Sequence, residues 1–357
     1  MILIVILGPT VIITVALIYG SGRWKSATRE MHARLEAARQ PVGRETYSQD
    51  ELIGLPAPVQ KYFRAVLKDR QPIVSAVYLE LSGTINMSAT GEKWKRFTST
   101  QRVIAQRPGF DWEGRVEMIP GLSARVHDAY IAGEGILLAT LFGLVSLANL
   151  RGTPEIAQGE LIRFLAEAAW YPTSLLPSQG VRWKAVDDFS ATATLKDGET
   201  AVTLLFRFDE NGLIQSVRAD ARGRTVAGVT IPTPWEAQWS NYQSHGGMCI
   251  PTEGEVAWLL PRPQPYFRGR TTGLSCEFCT VTGVWGGFWL NRQARSAIVE
   301  SHNRSKVDNL CPHLQRTPDT LDCFSQSEPR CLCQHSWPKR PKGKRAREFQ
   351  MAAHGRS

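Results

Sequence analysis

The sequence predicts an α+β fold: a curved antiparallel β-meander sheet packed with helices, preceded by one N-terminal transmembrane helix. Three observations predict it. From Val74 onward apolar residues recur with a period of two, as in "VSAVYLELSGTINMS". Turn signals at 107–109, 120–121, 133–135, 196–198 and 210–212 cut that stretch into short segments, as antiparallel hairpins require. Two stretches switch to helical spacing, and the first twenty residues carry no charged side chain.

The N-terminal run "MILIVILGPTVIITVALIYG" has the length that crosses a hydrocarbon core. It lacks the basic start and the small-residue cleavage site of a secretory signal, so it is expected to remain as an anchor over residues 1–20. Arg23, Lys25, Arg29, Arg34 and Arg39 follow, and the positive-inside rule then sets the body on the cytoplasmic side of the cell membrane. Trp24 suits the aromatic belt at the bilayer surface. Residues 21–50 are expected to form a juxtamembrane helix and linker, with Pro41 ending the helix.

A domain is expected over 51–278. It opens with a helix whose Val59, Tyr62, Phe63, Val66 and Leu67 share one face, with Pro58 at its start. Strands follow from Val74. "LFGLVSLANLRG" interrupts them as a compact apolar stretch, and "TPEIAQGELIRFLAEAAWYP" is a helix with Leu161, Phe164, Leu165, Ala168 and Ala169 on one face. Strands resume at Val181. "WYPTSLLPSQGVRW" joins the two parts, and it is too apolar for a solvated loop. Its side chains are expected to close one end of the concave face.

Charge and cysteine distribution set 279–357 apart. Thirteen Lys/Arg and seven Asp/Glu lie from Cys276 on, so most of the net charge of +9 belongs to the tail. Without a basic body, specific nucleic-acid binding loses its support. Cys249 is alone before Cys276, which excludes an internal disulfide framework in the body. Cys276 and Cys279, with Cys331, Cys333 and His335, have the residue types of a zinc site, but the gap between the pairs is far from common zinc spacing. No metal and no cofactor is expected. The basic cluster 339–347 suits a solvated end. The tail has the composition of disordered, out-of-frame or readthrough sequence.

No catalytic residue is assigned. His127 and Asp128 are neighbours on a strand and point to opposite faces, so they cannot begin a triad. Glu253 and Glu255 share a strand face rather than straddling a cleft. Gly133-Glu134-Gly135 is a turn, without the rest of a dinucleotide fingerprint. The aromatics Trp112, Trp170, Tyr171, Trp183, Trp235, Trp239 and Trp258 could line a cavity or fill a core.

Five stretches, "GLPAPVQKYFRAVL", "PGFDWEGRVEMIPGLSARVHDAYIAGEG", "WYPTSLLPSQGVRW", "IPTPWEAQWSNYQ" and "IPTEGEVAWLLPRPQPYFRGR", together resemble an uncharacterised bacterial family of membrane-anchored proteins carrying a domain of unknown function. The resemblance covers about Leu52 to Phe278, and it brings no activity with it. The order of strands, helix and strands is also similar to that of periplasmic lipoprotein carriers and lipid-binding lipoproteins, whose curved sheet encloses a greasy cavity. That likeness implies an envelope-facing body, against the flanking charges. The expected function is non-enzymatic handling of a lipid or other apolar ligand beside the bilayer, lined by Trp112, Phe164, Trp170, Leu175, Leu176 and Trp235. Two alternatives stand beside it: a structural or protein-interaction module with a solid core, and a hydrolase using Asp111, Glu113, Glu253 and Glu255. Oligomeric state is not legible.

Overall fold

The computed structural model describes residues 2–278 except 42, 89, 90 and 227, with side chains from Thr10 onward. The readings of the tail, including Cys279, Cys331, Cys333, His335 and the basic cluster, lie outside the described residues. Among the described residues no group of His, Cys, Asp and Glu is arranged to hold a metal.

Among the described residues thirteen strands form one antiparallel sheet. In chain order they are β1 (Val74–Asn86), β2 (Trp94–Ile104), β3 (Gly109–Ile119), β4 (Leu122–Ile131), β5 (Glu134–Leu141), β6 (Val145–Arg151), β7 (Arg182–Asp187), β8 (Ser190–Asp197), β9 (Thr200–Phe208), β10 (Ile214–Val226), β11 (Val229–His245), β12 (Met248–Trp258) and β13 (Gln264–Phe278). Two meanders, β1 to β6 and β7 to β13, are joined edge to edge where β1 pairs with β13, from Val74 opposite Phe278 to Ile85 opposite Phe267. An open sheet this wide must curl. Its curl is visible in one contact: Tyr130, at the end of β4, donates to Asp197 Oδ2 at 2.9 Å, although eight strands lie between β4 and β8.

Helix α3 (Pro154–Glu167) lies in the concavity, with Thr153 capping it and Pro154 in its first turn. Three short 3₁₀ turns continue from it: Ala168–Trp170, Pro172–Leu175 and Pro177–Gln179. These turns are the expected closure. Tyr171, Leu175 and Leu176 are fully buried. The backbone finds side-chain partners, as a buried loop must: Val74 N–H donates to Thr173 Oγ1, and Trp183 Nε1 donates to Leu175 O. Helix α2 (Ala57–Val66) seals the same end with Val59, Tyr62, Phe63 and Val66.

Three features depart from expectation. "LFGLVSLANLRG" is not an interruption but the turn and edge strand of the β5–β6 hairpin. Helices cover both faces of the sheet, where packing of the helices on one face is the economical expectation. The N-terminal helix α1 (Ile2–Ala37) is continuous through the expected boundary at residue 20, and its second half lies on the outer face of β3 and β4. The Trp24 side chain is therefore not free to join an aromatic belt: it is buried, stacks on His127 at 4.5 Å and donates to Glu113. Among the described residues no helix is long and apolar enough to cross a membrane.

Candidate functional site

Alternation along the strands decides what reaches the concavity. On β3, Phe110, Trp112, Val116 and Met118 face inward, while Asp111 and Glu113 face outward. On β4, Asp128 faces inward and His127 outward. The two neighbours do part company: Asp128 accepts from Arg163 of α3 at 2.7 Å, and His127 Nδ1 lies 2.9 Å from Asp111.

Four glycines shape the floor. Gly254 pairs with Gly269 and Gly269 with Gly83; Leu81, two residues before Gly83, pairs with Ser99, which pairs with Gly114. A Cβ on any of them would collide with an aromatic ring: Trp239 over Gly254, Phe267 over Gly269, Phe97 over Gly83 and Trp112 over Gly114. Missing side chains let four rings lie flat on the central strands. This row is the functional feature that the sequence reading missed. Its signal was present, since glycine inside a strand pattern marks close approach.

Above this floor α3 meets the sheet through a polar layer rather than through apolar contact alone. Arg163 bonds Asp128 and Glu167 at 2.7 Å each, and Gln101 donates to Glu167 at 2.6 Å. The Arg163 guanidinium sits 4.8 Å from the Phe110 ring centre and 5.7 Å from that of Trp112. Burial opposes its charge, but Glu167, Asp128 and Glu160 outweigh burial and hold it protonated. Further along, Arg222 donates to Glu160 at 3.3 Å and to the Tyr266 hydroxyl at 3.0 Å, which also accepts from Trp235 at 2.7 Å. Burial, reinforced by Asp128, pushes the Glu160 carboxyl up to about 8, and its Oε2 has no partner. The indole N–H groups of Trp112, Trp170 and Trp239 and the Ser99 hydroxyl are likewise buried without partners. Their presence among rings and leucines makes the interior amphipathic.

All six predicted lining residues belong to one buried cluster, at 4% exposure for Trp112 and 0–3% for Phe164, Trp170, Leu175, Leu176 and Trp235. The structure divides them. Trp170, Leu175 and Leu176 lie in the closing turns, and Trp170 meets Trp239 edge-on at 4.8 Å. Phe164 is on α3 against Tyr171. Trp112 and Trp235 lie on the sheet. Ile85, Met118, Val126, Val256, Trp258 and Phe267 on the central strands are only partly buried, and they pack against that cluster. Two grooves, of about 490 Å³ beside Arg44 and Glu51 and about 580 Å³ beside Gly83 and Phe97, are lined by none of the six.

The four acidic residues do not gather around a cleft. Asp111 and Glu113 serve α1: Asp111 lies between His127 and His32, at 2.9 and 3.0 Å. Glu253 and Glu255 pair with Arg270 and Arg268 across β12 and β13.

A family model matches residues 53–275, which spans both meanders, the closing turns and α3. The chain belongs to DUF6920, a family of unknown function. No curated protein matches it. Among solved structures, this DUF6920 chain is similar to a LolA superfamily protein from Nitrosomonas europaea, at 10% identity and a TM-score of 0.35, over 64% of this chain and 96% of that one. It is also similar to a DUF1329 family protein from Desulfovibrio piger, at 12% identity and a TM-score of 0.33, over 62% and 92% of the two chains.

Proposed function

We propose that this chain is a membrane-anchored, non-enzymatic binder of a lipid or another apolar ligand, received by the concave face of its sheet. The observation that carries the reading is a partly buried apolar set, which we take as the mouth: Ile85, Met118, Val126, Val256, Trp258 and Phe267 pack against the cluster that holds Trp112 and Trp235. An acyl chain entering there gains roughly 0.8 kcal/mol per buried CH₂. α3 acts as the movable cover, because its seat on the sheet is a polar layer. Lifting it exposes its own Phe164 and opens a path to Trp170, Leu175 and Leu176. The uncharged segment 1–20 holds the mouth near the bilayer, and the exposed Arg23, Lys25 and Arg29 favour a cytoplasmic body.

The test is native mass spectrometry of the full chain released from a mild detergent, followed by denaturing extraction of anything bound. Stoichiometric lipid, lost in a Trp112→Ala/Trp235→Ala variant that still folds, is the expected result. A bare folded protein that ignores added lipid sinks the reading. The close burial of all six lining residues favours a second one in that event, a protein-interaction module with a solid core.

A further inference from the structure

We propose that the tip of the β5–β6 hairpin is a second membrane contact, which dips beside α1 into anionic lipid and fixes the body's orientation. This rests on the anchoring reading above and adds to it a named surface. Large apolar side chains crowd one corner of the molecule. Val11, Ile12, Ile13, Val15, Leu17, Ile18 and Tyr19 of α1 are 41–70% exposed, and Phe142, Val145, Leu147 and Leu150 of the hairpin are 43–56% exposed. Exposed apolar patches of this kind mark contact surfaces.

A close approach joins the two groups. Gly20 and Gly143 face each other so tightly that a Cβ on Gly20 would strike the Phe142 carbonyl, and one on Gly143 would strike the Gly20 carbonyl. Phe142 and Gly143 turn the chain there with positive φ, at 56° and 72°. The hairpin tip is thus pinned to the helix at the point where its uncharged run ends. Arg23 and Lys25, both exposed, begin within one helical turn beyond. An apolar tier followed by a basic one complements acyl chains followed by anionic headgroups. That complementarity selects a bilayer over a protein partner. It also sets the depth: Phe142, Val145 and Leu147 lie at the boundary between headgroups and acyl chains.

The test places a polarity-sensitive fluorophore on single cysteines in a full chain whose seven native cysteines are replaced. The chain is reconstituted in phosphatidylcholine vesicles with and without phosphatidylglycerol. Labels at Leu147→Cys, at Leu17→Cys and at Val186→Cys, on the opposite edge strand, are compared. The expected result is blue-shifted emission and quenching by headgroup-proximal nitroxide lipid at 147 and 17, and neither at 186. A label at 147 that behaves like the one at 186, while 17 is quenched, overturns the hairpin contact and leaves anchoring intact. Water-like emission at both 17 and 147 overturns both. Shielding at 147 that grows with protein concentration, without lipid quenching, overturns the proposal in favour of pairing between two β6 edges. Hydrogen exchange on the wild-type chain provides a second readout that needs no substitution. Vesicles containing phosphatidylglycerol are expected to slow residues 142–151, and unchanged exchange there overturns the contact.

Discussion

At the residue scale, two buried carboxyls oppose each other in sign. Glu160 carries a carboxyl raised from 4.5 to about 8 by burial, so the folded chain holds a proton that the unfolded chain releases. Its stabilising contribution is complete below about pH 4.5 and is lost as pH rises toward 8. Glu160→Gln is expected to flatten the decline in urea midpoint over that window, and a parallel decline in both proteins refutes the assignment. Asp111 behaves conversely. Burial raises its carboxyl, but the hydrogen bonds from His127 and His32 outweigh burial and hold it below the ordinary range. Its contribution is present above about pH 4 and lost as pH falls through the lowered value. Asp111→Ala is expected to cost on the order of 2–3 kcal/mol in denaturant unfolding at neutral pH. The burial of Trp112, Phe164 and Trp235 was legible from strand and helix spacing, and that of Trp170, Leu175 and Leu176 from a connector too apolar for a solvated loop. The polar layer was not, because Arg163 and Glu167, one helical turn apart on α3, meet Asp128 and Gln101 only when the helix packs on the sheet.

At the element scale, α1 has two characters. From Trp24 to Leu35 it is a clamp, with Met31 and Leu35 packed on Ala129, Ile131 and Ile136 and with Thr28 bonded to His127. Before Gly20 its described side chains, half-buried Ala16 aside, are exposed to the surroundings. A cut at residue 40 would strip the outer face of β3 and β4, whereas a cut at residue 22 preserves the clamp. The shorter deletion is expected to give a monomeric folded chain, and the longer one aggregation through the bared Ala129, Ile131 and Ile136; light scattering distinguishes them. The clamp was not legible, since "ATREMHARLEAARQ" is charged enough to pass for a solvated helix. Its buried residues, Trp24, Met31 and Leu35, recur at spacings of seven and four, a signal too sparse to stand out. The edge strand β6 escaped notice for the opposite reason. Its exposed apolar residues break the inward–outward alternation by which strands are recognised.

At the scale of the whole molecule, hairpin turns predicted the local order of strands, and both meanders follow it. The joint between β1 and β13 has no such signal. Pairing between strands about 200 residues apart leaves no mark in either segment. That joint also governs how the chain is made. β1 leaves the ribosome long before β13 exists. At ordinary synthesis rates the delay is roughly 10–40 s, far longer than hairpins need to close. During that interval the first meander has β1 as a bare edge, with Val77, Leu79 and Leu81 uncovered. The nascent protein therefore depends on something else, such as a chaperone, to shield that edge until its last strand arrives.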